Sequence, residues 1–259
     1  MRARFEFTLI ALAAAVFSLG SLAVQAAGFT NNPVADAFVT TGPTANLSGE
    51  NYGGAGALSV AASGLANGEF QSVMQFSTSA AFNSFNTQFG VGQWTIQSVT
   101  LQLTATPNNN AIFNTTAAGQ FNVSLILNNS WAEGSGTPAI PTMDGITYNS
   151  LQSTYIGSSD QAAGTFSFNG ASSGSATYPL TLGSGLISDI DNGDNLSLRL
   201  SAADSVVSML VNSRSGGSSS SHPELIINVI PEPGSLTLVL LGLVMIAGTR
   251  WGVFRYCSR

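Results

Sequence analysis

The densest group of oxygen-bearing side chains in the sequence is the heptapeptide "DIDNGDN", residues 189–195. Its carboxylates, Asp189, Asp191 and Asp194, are interspersed with asparagines, and calcium takes about six to eight oxygen ligands from loops of this kind. No glutamate follows at the distance that closes an EF-hand loop. The Asn-Gly pair is also typical of a turn that joins a short helix to a strand. The segment is therefore both a candidate calcium site and a candidate turn.

Groups that could catalyse a reaction are few. His222, in "SSSSHPEL", is the single histidine of the chain, so a triad has one candidate base and a multi-histidine zinc site is excluded. The single cysteine is Cys257. A pair of carboxylates can serve a glycosidase, but with 13 acidic residues in the chain some pair is inevitable. These counts favour a non-catalytic protein, and a polysaccharide-active lyase or hydrolase is the alternative.

One glycine-rich loop points to sugar binding. Trp131 and Glu133 lie in "SWAEGSGTP", and an exposed tryptophan can stack on sugar rings, whereas a buried one fills a core. Trp94 begins an alternating segment and is expected in the core. Trp131 and Glu133, together with Arg214 in a later turn, are therefore the candidate ligand contacts. The alternative for Trp131 is that it closes one end of the fold.

The charge of the chain argues against nucleic acid as a partner. All seven basic residues are arginines, and five of them lie within the first four or the last ten residues. Only Arg199 and Arg214 remain between residues 27 and 230, against eleven acidic side chains, which leaves a net charge of about −9 there. Such a surface repels phosphates. It also attracts anionic polysaccharide only where a cation bridges the two.

Short segments in which apolar and polar residues alternate dominate the sequence between residues 27 and 230. In "VTLQLTAT", for example, Val99, Leu101 and Leu103 share one face, and in "FNVSLIL" the alternation continues to Leu127. Similar segments are "NLSLRLSA", "ATYPLTL", "PELIINVI" and "FQSVMQF". Gly, Asn, Ser or Pro bound each of them, as is typical of antiparallel strands with one wet face. The pattern predicts an all-β fold, a jelly-roll-like antiparallel β-sandwich, with a short helix in "SGLISDID".

Both ends of the chain carry apolar segments next to arginines. Arg2 and Arg4 precede an apolar stretch that ends in small residues, which is the pattern of a secretory signal peptide over residues 1–26. The last apolar run begins at Ser235, and it reaches the roughly 20 residues of a membrane span only by continuing past Arg250. We therefore expect one C-terminal transmembrane helix of marginal length, with its arginine-rich end in the cytoplasm.

The C-terminal segment has three ordered parts: a Pro-Glu-Pro tripeptide, the apolar run and a basic end. The charged and rigid positions are Pro231, Glu232, Pro233, Arg250, Arg255 and Arg259. This segment resembles the PEP-CTERM sorting signal of Gram-negative bacteria. The resemblance implies an exosortase-type membrane protease as partner. It also implies an exported protein that is held transiently in the inner membrane and then delivered to the cell surface or the extracellular matrix.

Several motifs of the body follow one another in a recognisable order. They are Asp36, "NYGG" at residues 51–54, "SVMQFS", "TIQSVTLQLTAT", "SWAEGSGTP", "GITYNS" and "VNSRSGGSSSSHPELIINV". Residues 27–230 thereby resemble DNRLRE-type domains, which are related to carbohydrate-binding module family 96. Where that family usually has arginine in the second strand, this chain has Gln71 and Gln75. The resemblance implies a β-sandwich on a secreted or surface protein, and some members bind acidic polysaccharides such as alginate.

These features together predict three parts: a signal peptide at 1–26, a β-sandwich at 27–230 and a sorting signal at 231–259. The function they predict is that of an exported, non-catalytic protein of the cell surface or matrix that binds or organises exopolysaccharide.

Overall fold

The computed structural model of the protein describes residues 25–107, 111–113 and 115–232. The apolar parts of the predicted signal peptide and of the predicted transmembrane helix lie outside the described residues, as do Pro233, Arg250, Arg255 and Arg259. Within the described part of the chain, no helix combines the length and the apolar character that a membrane crossing needs.

The described residues form an antiparallel β-sandwich. Its strands, numbered along the chain, are β1 (Ala27–Asn31), β2 (Ala35–Thr40), β3 (Ala57–Ala61), β4 (Phe70–Ser77), β5 (Trp94–Thr104), β6 (Gly119–Ile126), β7 (Gln161–Phe168), β8 (Ser175–Leu180), β9 (Asn195–Ala202), β10 (Ser208–Asn212) and β11 (Glu224–Pro231). The smaller sheet has the order β1-β11-β5-β8. The larger sheet has the order β10-β3-β4-β9-β6-β7, and β2 also pairs with β4. Residues Gly28–Val229 form one compact unit.

The inner faces of the two sheets form the core that the alternation predicted. On the smaller sheet β5 buries Val99, Leu101 and Leu103, and on the larger sheet β6 buries Phe121 and Val123. Each of these side chains removes apolar surface from water, which is the main stabilising contribution to such a fold. The prediction of strand, burial and face is confirmed for these segments.

The alternation was misleading at the end of β6. This strand ends at Ile126, and Leu127 is 41% exposed rather than part of the inner face. Its backbone N–H donates to the Asp160 carboxylate at 3.2 Å instead of to a neighbouring strand. The chain therefore leaves the sheet one residue before the predicted position.

A second apolar layer covers the outer face of the larger sheet. The segment from residue 127 to 156, which we call the covering segment, folds back over β2 and β4 and buries Trp131, Ile146 and Leu151 against Val73. This is why β4 is buried on both faces, with Val73 and Met74 each fully buried although they point in opposite directions.

Two helices connect strands. The first, α1 (Ser79–Phe89), was not predicted; its Phe85 lies 5.2 Å from the Trp94 ring and 6.3 Å from the Phe29 ring. The second, α2 (Ser184–Asn192), is the predicted "SGLISDID" helix and ends at Gly193 in the left-handed conformation, with φ of 71°. The covering segment contains a short helix (Tyr148–Ser150) that continues into one π-helical turn (Leu151–Tyr155).

The first and last strands of the sandwich run in opposite directions. Gly28 lies against the Asn228 side chain, and four residues further on the Asn32 amide donates to the Pro223 carbonyl at 3.0 Å. The compact unit therefore begins and ends at the same end of the smaller sheet. Asn228 of β11 donates to the Ser98 hydroxyl of β5 at 3.1 Å, and Gln102 of β5 donates to Glu224 of β11 at 3.0 Å. The two strands are therefore antiparallel, and the C-terminal end of β5 lies at the opposite end of the sheet from the end of β11.

Candidate functional site

Residues far apart in the sequence meet at one corner of the sandwich, beside the start of β2. The backbone N–H of Arg214 donates to Asp36 Oδ2 at 2.7 Å, and the backbone N–H of Asp36 donates to Glu133 Oε1 at 3.2 Å. Arg214 Nη1 closes the circle with an ion pair to Glu133 Oε2 at 2.9 Å. Glu133 and Arg214, two of the predicted ligand contacts, are thus brought together, and their partner is Asp36.

Asn51 fixes the glycine-rich loop to this corner. Its side-chain Nδ2 donates to the carbonyls of Glu133 at 2.7 Å and Ile146 at 2.8 Å. Its Oδ1 accepts the backbone N–H groups of Gly53 and Gly136, both at 3.1 Å. The side chain is fully buried, so a single amide supplies hydrogen bonds that the loop backbone needs where water is absent.

Glycines make this close approach of two backbones possible. A Cβ on Gly136 would overlap the Asn51 carbonyl oxygen, and a Cβ on Gly53 would overlap the Glu133 carbonyl oxygen. The "NYGG" and "WAEGSG" motifs are therefore complementary halves of one contact. Their glycines are required by steric contact and not only by turn conformation.

Burial dominates the chemistry of Asp36. The pKa of its carboxyl is raised from 3.8 to about 7, chiefly by removal from water and in part by the charge of Glu133, while the hydrogen bond and charge of Arg214 oppose the rise. No described residue donates a hydrogen bond to its buried Oδ1 atom. Because Asp36 has no exposed surface, it cannot reach a substrate, and its role at the corner is to hold Arg214.

Trp131 does not present its ring to solvent. The residue is 5% exposed, packs in the layer over β2 and β4, and donates from Nε1 to the Ser197 hydroxyl at 2.9 Å. The ring is therefore unavailable for stacking on a sugar, and it packs over the outer face of the larger sheet rather than closing one end of the fold. Trp94, which was expected in the core, is buried as predicted.

The glutamine at position 71 has a specific partner. Gln71 Oε1 accepts a hydrogen bond from Arg199 Nε at 2.7 Å, and Gln71 Nε2 donates to Glu69. Tyr148 of the covering segment also donates to Glu69, at 2.9 Å. Arg199, one of the two arginines between residues 27 and 230, is therefore used in a hydrogen-bond network with Gln71 beneath the covering segment.

The "DIDNGDN" segment forms the end of α2 and the turn after it. The backbone N–H of Asp194 donates to the Asp189 carbonyl at 2.8 Å and that of Gly193 to the Ile190 carbonyl, which is the usual cap around a left-handed glycine. The Thr78 hydroxyl bonds the carbonyls of both Asp189 and Asp194 and joins the turn to the start of α1. The turn interpretation thus accounts for the backbone of this segment.

The carboxylates of this turn do not converge. Asp191 and Asp194 are exposed, whereas Asp189 is half-buried, and burial together with the charge of Asp194 raises the pKa of Asp189 to about 6. Across the described ranges there is no group of three or more His, Cys, Asp or Glu side chains that could hold a metal ion.

Two open cavities lie near the C-terminal end of β5, and no pattern in the sequence indicated either of them. One, of about 300 Å³, lies where a hairpin joins β7 to β8 and includes Ala105 and Val211 in its lining. The other, of about 530 Å³, is lined by Thr106 and Asn212 together with Pro138 of the glycine-rich loop. The isolated bridge between Ala105 and Val211 separates them.

Comparison with known proteins gives no relative from which to transfer a role. The chain matches no model of a known protein family, and no curated protein is similar to it in sequence.

Proposed function

We propose that this chain is an exported, non-catalytic protein whose jelly-roll-like sandwich binds or organises exopolysaccharide. In this proposal its C-terminal segment is a PEP-CTERM-type sorting signal. A signal peptide starts export, and an apolar helix after Pro233 holds the chain in the inner membrane. An exosortase-type protease then releases the sandwich to the cell surface or matrix.

The observation that carries the proposal is the position of the chain ends. Gly28 and Asn228 lie side by side, next to the residues where the compact unit begins and ends, whereas the two cavities described above lie near the C-terminal end of β5. Within the compact unit, these cavities are therefore remote from its first and last residues. This arrangement suits a domain displayed for binding.

The corner supports a non-catalytic role. Asp36 and Asn51 are fully buried, and the Arg214 side chain is engaged by Glu133. His222 follows a short 3₁₀ turn (Ser219–Ser221), and its side chain makes no hydrogen bond to any residue in the described ranges. The most elaborate polar arrangement of the sandwich thus serves to fix a loop, which favours a binding protein over a lyase or hydrolase.

Replacement of Pro231, Glu232 and Pro233 by alanine in the producing bacterium tests the sorting part. The wild-type protein should be recovered from the surface or matrix without Arg259, as measured by mass spectrometry, whereas the variant should keep its C-terminus and remain in the membrane fraction. Pro141→Ala, an exposed loop proline, is the matched control and should sort as the wild type does. Mature wild-type protein that still carries Arg259 would contradict processing.

The polysaccharide part has its own test. The exported protein should co-sediment with extracellular polysaccharide from the producing cells and should leave its chain length unchanged. Shortening of the polymer would support the enzyme alternative, and free protein in the supernatant would contradict binding.

A further inference from the structure

We propose that one loop of the covering segment is a self-association surface, through which two copies of this protein form a symmetric dimer. The loop consists of residues 137–143, and we call it the tip loop. Its receptor on the second copy is the open cavity of about 530 Å³ beside the same loop, which we call the corner cavity. The inference goes beyond the proposed function and does not depend on it.

The tip loop exposes two large apolar side chains. Met143 is 81% exposed and Ile140 is 72% exposed, and in the described ranges no other loop carries two large apolar side chains with so little burial. Pro138 and Pro141 lie in the same loop, and no residue from 137 to 143 is charged. Single exposed apolar residues are common on protein surfaces, whereas apolar residues clustered on one surface mark interaction sites.

Hydrogen bonds, and not burial of these side chains, hold the tip loop in shape. Thr137 and Ile140 exchange backbone hydrogen bonds of 2.9 and 3.1 Å. At the base of the loop the Asp144 carboxylate accepts the backbone N–H and the hydroxyl of Ser135, at 3.0 and 2.7 Å, and also the Thr142 hydroxyl. A loop that is already ordered loses little entropy on binding, so its apolar side chains are presented in a preorganised position.

The corner cavity lies directly beside the tip loop and has room for such side chains. Apolar cavities of about 150 Å³ already hold a group the size of benzene. All of the lining except Ala57 is partly or fully exposed, so the cavity is accessible from outside. The lining is mostly Ala, Gly and Pro, and its members are Ala55, Gly56, Ala57, Thr106, Ala111, Thr137, Pro138, Ala139, Asn212, Gly216 and Gly217.

The floor of the corner cavity is preformed. Strand pairing between β3 and β10 holds Ala57 opposite Asn212. The turn after β10 packs directly on the backbone at residue 56, because a Cβ on Gly216 would overlap the Gly56 carbonyl oxygen. A side chain that enters the cavity therefore meets backbone and methyl groups whose positions are set by the sheet.

The occupant that fits this surface is a second copy of the chain. A symmetric dimer needs one surface that is complementary to itself. Here the projecting side chains and the cavity belong to the same loop and its immediate neighbours. A two-fold axis beside the tip loop would bring Ile140 and Met143 of each copy to the corner cavity of the other.

Charge restricts where two copies can meet. Between residues 27 and 230 two arginines and eleven acidic side chains give each copy a net charge of about −9, so most of their surfaces repel each other. The tip loop and the described lining of the corner cavity have no charged residue, so contact here buries no unpaired charge. One loop and one cavity from each copy make a small contact, typical of transient interfaces that bury less than about 1,200 Å².

Sedimentation equilibrium of the purified full-length protein in detergent tests the inference. The wild type should form dimers with a micromolar dissociation constant, and dimerisation should strengthen as salt rises from about 0.05 to 0.5 M, because salt screens the repulsion. The double variant Ile140→Ser, Met143→Ser should weaken dimerisation by more than about 30-fold, and Ala111→Trp, which fills the cavity, should do the same. Val91→Ser removes a side chain that is 79% exposed on another loop, and this matched control should dimerise as the wild type does.

A mixture of the double variant and the Ala111→Trp variant tests the geometry itself. One partner then offers an open cavity and the other offers its projecting side chains, so the mixed dimer keeps one of the two contacts. It should form at least about 5-fold more tightly than the dimer of either variant alone. No gain on mixing would overturn the corner cavity as the receptor.

Three other results would refute the inference. They are a wild type that stays monomeric at about 200 μM, a dimer that the double variant leaves intact, and dimerisation that high salt weakens. None of them bears on sorting or on polysaccharide binding, which have their own tests.

Discussion

Replacing Asp36 by asparagine should make the sandwich more stable at neutral and alkaline pH. Asparagine has nearly the same shape, and its carbonyl can still accept the Arg214 N–H, which now donates to Asp36 at 2.7 Å. The substitution removes the carboxylate charge from a place that has no exposure to water, and it puts an amide nitrogen where the buried Oδ1 has no partner among the described residues.

The expected size follows from the pKa of Asp36. Below its ordinary pKa of 3.8 both the folded and the unfolded chain carry the proton, so ionisation costs nothing on folding. Between pH 3.8 and about 7 the unfolded chain has released the proton and the folded chain has kept it, so stability falls as the pH rises. At 1.36 kcal/mol for each pKa unit, the loss above pH 7 amounts to about 4 kcal/mol, and Asp36→Asn should recover up to that amount.

Urea unfolding of residues 27–230, followed by circular dichroism at pH 4 to 8, measures this difference. Wild type and variant should be about equally stable near pH 4 and should diverge as the pH rises. Asp189, whose pKa is raised to about 6, contributes a slope of the same sign to both proteins and cancels in the comparison. Asp144→Asn is the control, because the pKa of that exposed carboxyl is held near 2 by Thr142 and Ser135, so it stays ionised throughout.

A single result would refute the reasoning. If Asp36→Asn lowers stability at pH 8, the ionised carboxylate must hold Arg214 more strongly than burial disfavours it, and the corner depends on its charge. A wild-type protein that gains stability from pH 4 to 7 while the variant does not would lead to the same conclusion.

The remaining predictions concern the corner and the turn after α2. Asn51→Ala should cost about 3–5 kcal/mol in urea unfolding, because several buried loop groups lose their hydrogen bonds; a loss under about 1 kcal/mol would contradict this. Gly136→Ala should lower the melting temperature by several degrees because of its clash, whereas Gly64→Ala, with nothing within 4 Å of the added carbon, should not. Millimolar calcium should leave the melting temperature unchanged, since a turn accounts for "DIDNGDN". A rise that an Asp191→Ala, Asp194→Ala variant abolishes would restore the metal site.

The sequence predicted the strands best where one face of the strand is exposed to solvent. In β5 and β11 the inner and outer residues alternate in burial, and the period of two is visible. It predicted α1 poorly, because "SAAFNSFNTQF" is rich in Asn, Ser and Thr, which are weak helix formers. The ring contacts of Phe85 with Trp94 and Phe29 favour the helix, and such long-range packing has no local signature.

The candidate site was only partly predictable, because long-range packing again decides which side chains are exposed. The type of residue at positions 36, 51, 133 and 214 marked them as special, but whether Trp131 faces solvent depends on how the covering segment folds over β2 and β4. The sequence contained no signal for the cavity of about 300 Å³ where the hairpin joins β7 to β8. Its serines, threonines and alanines are common throughout the chain, and only the pairing of β5 with β8 and the hairpin from β7 bring them together.

The corner also explains how a sandwich without a disulfide can keep a long loop in place. The chain's single cysteine is Cys257, so no covalent cross-link can join the covering segment to the sheet. Asn51 and the Arg214–Glu133 pair do so through bonds between residues 81 to 95 positions apart in sequence. Such contacts carry a large loop-closure cost and are expected to form late in folding. Because the segment that these contacts hold packs Trp131 against Val73, a defect at the corner should uncover the apolar outer face of the larger sheet, and its first consequence should be self-association of the protein.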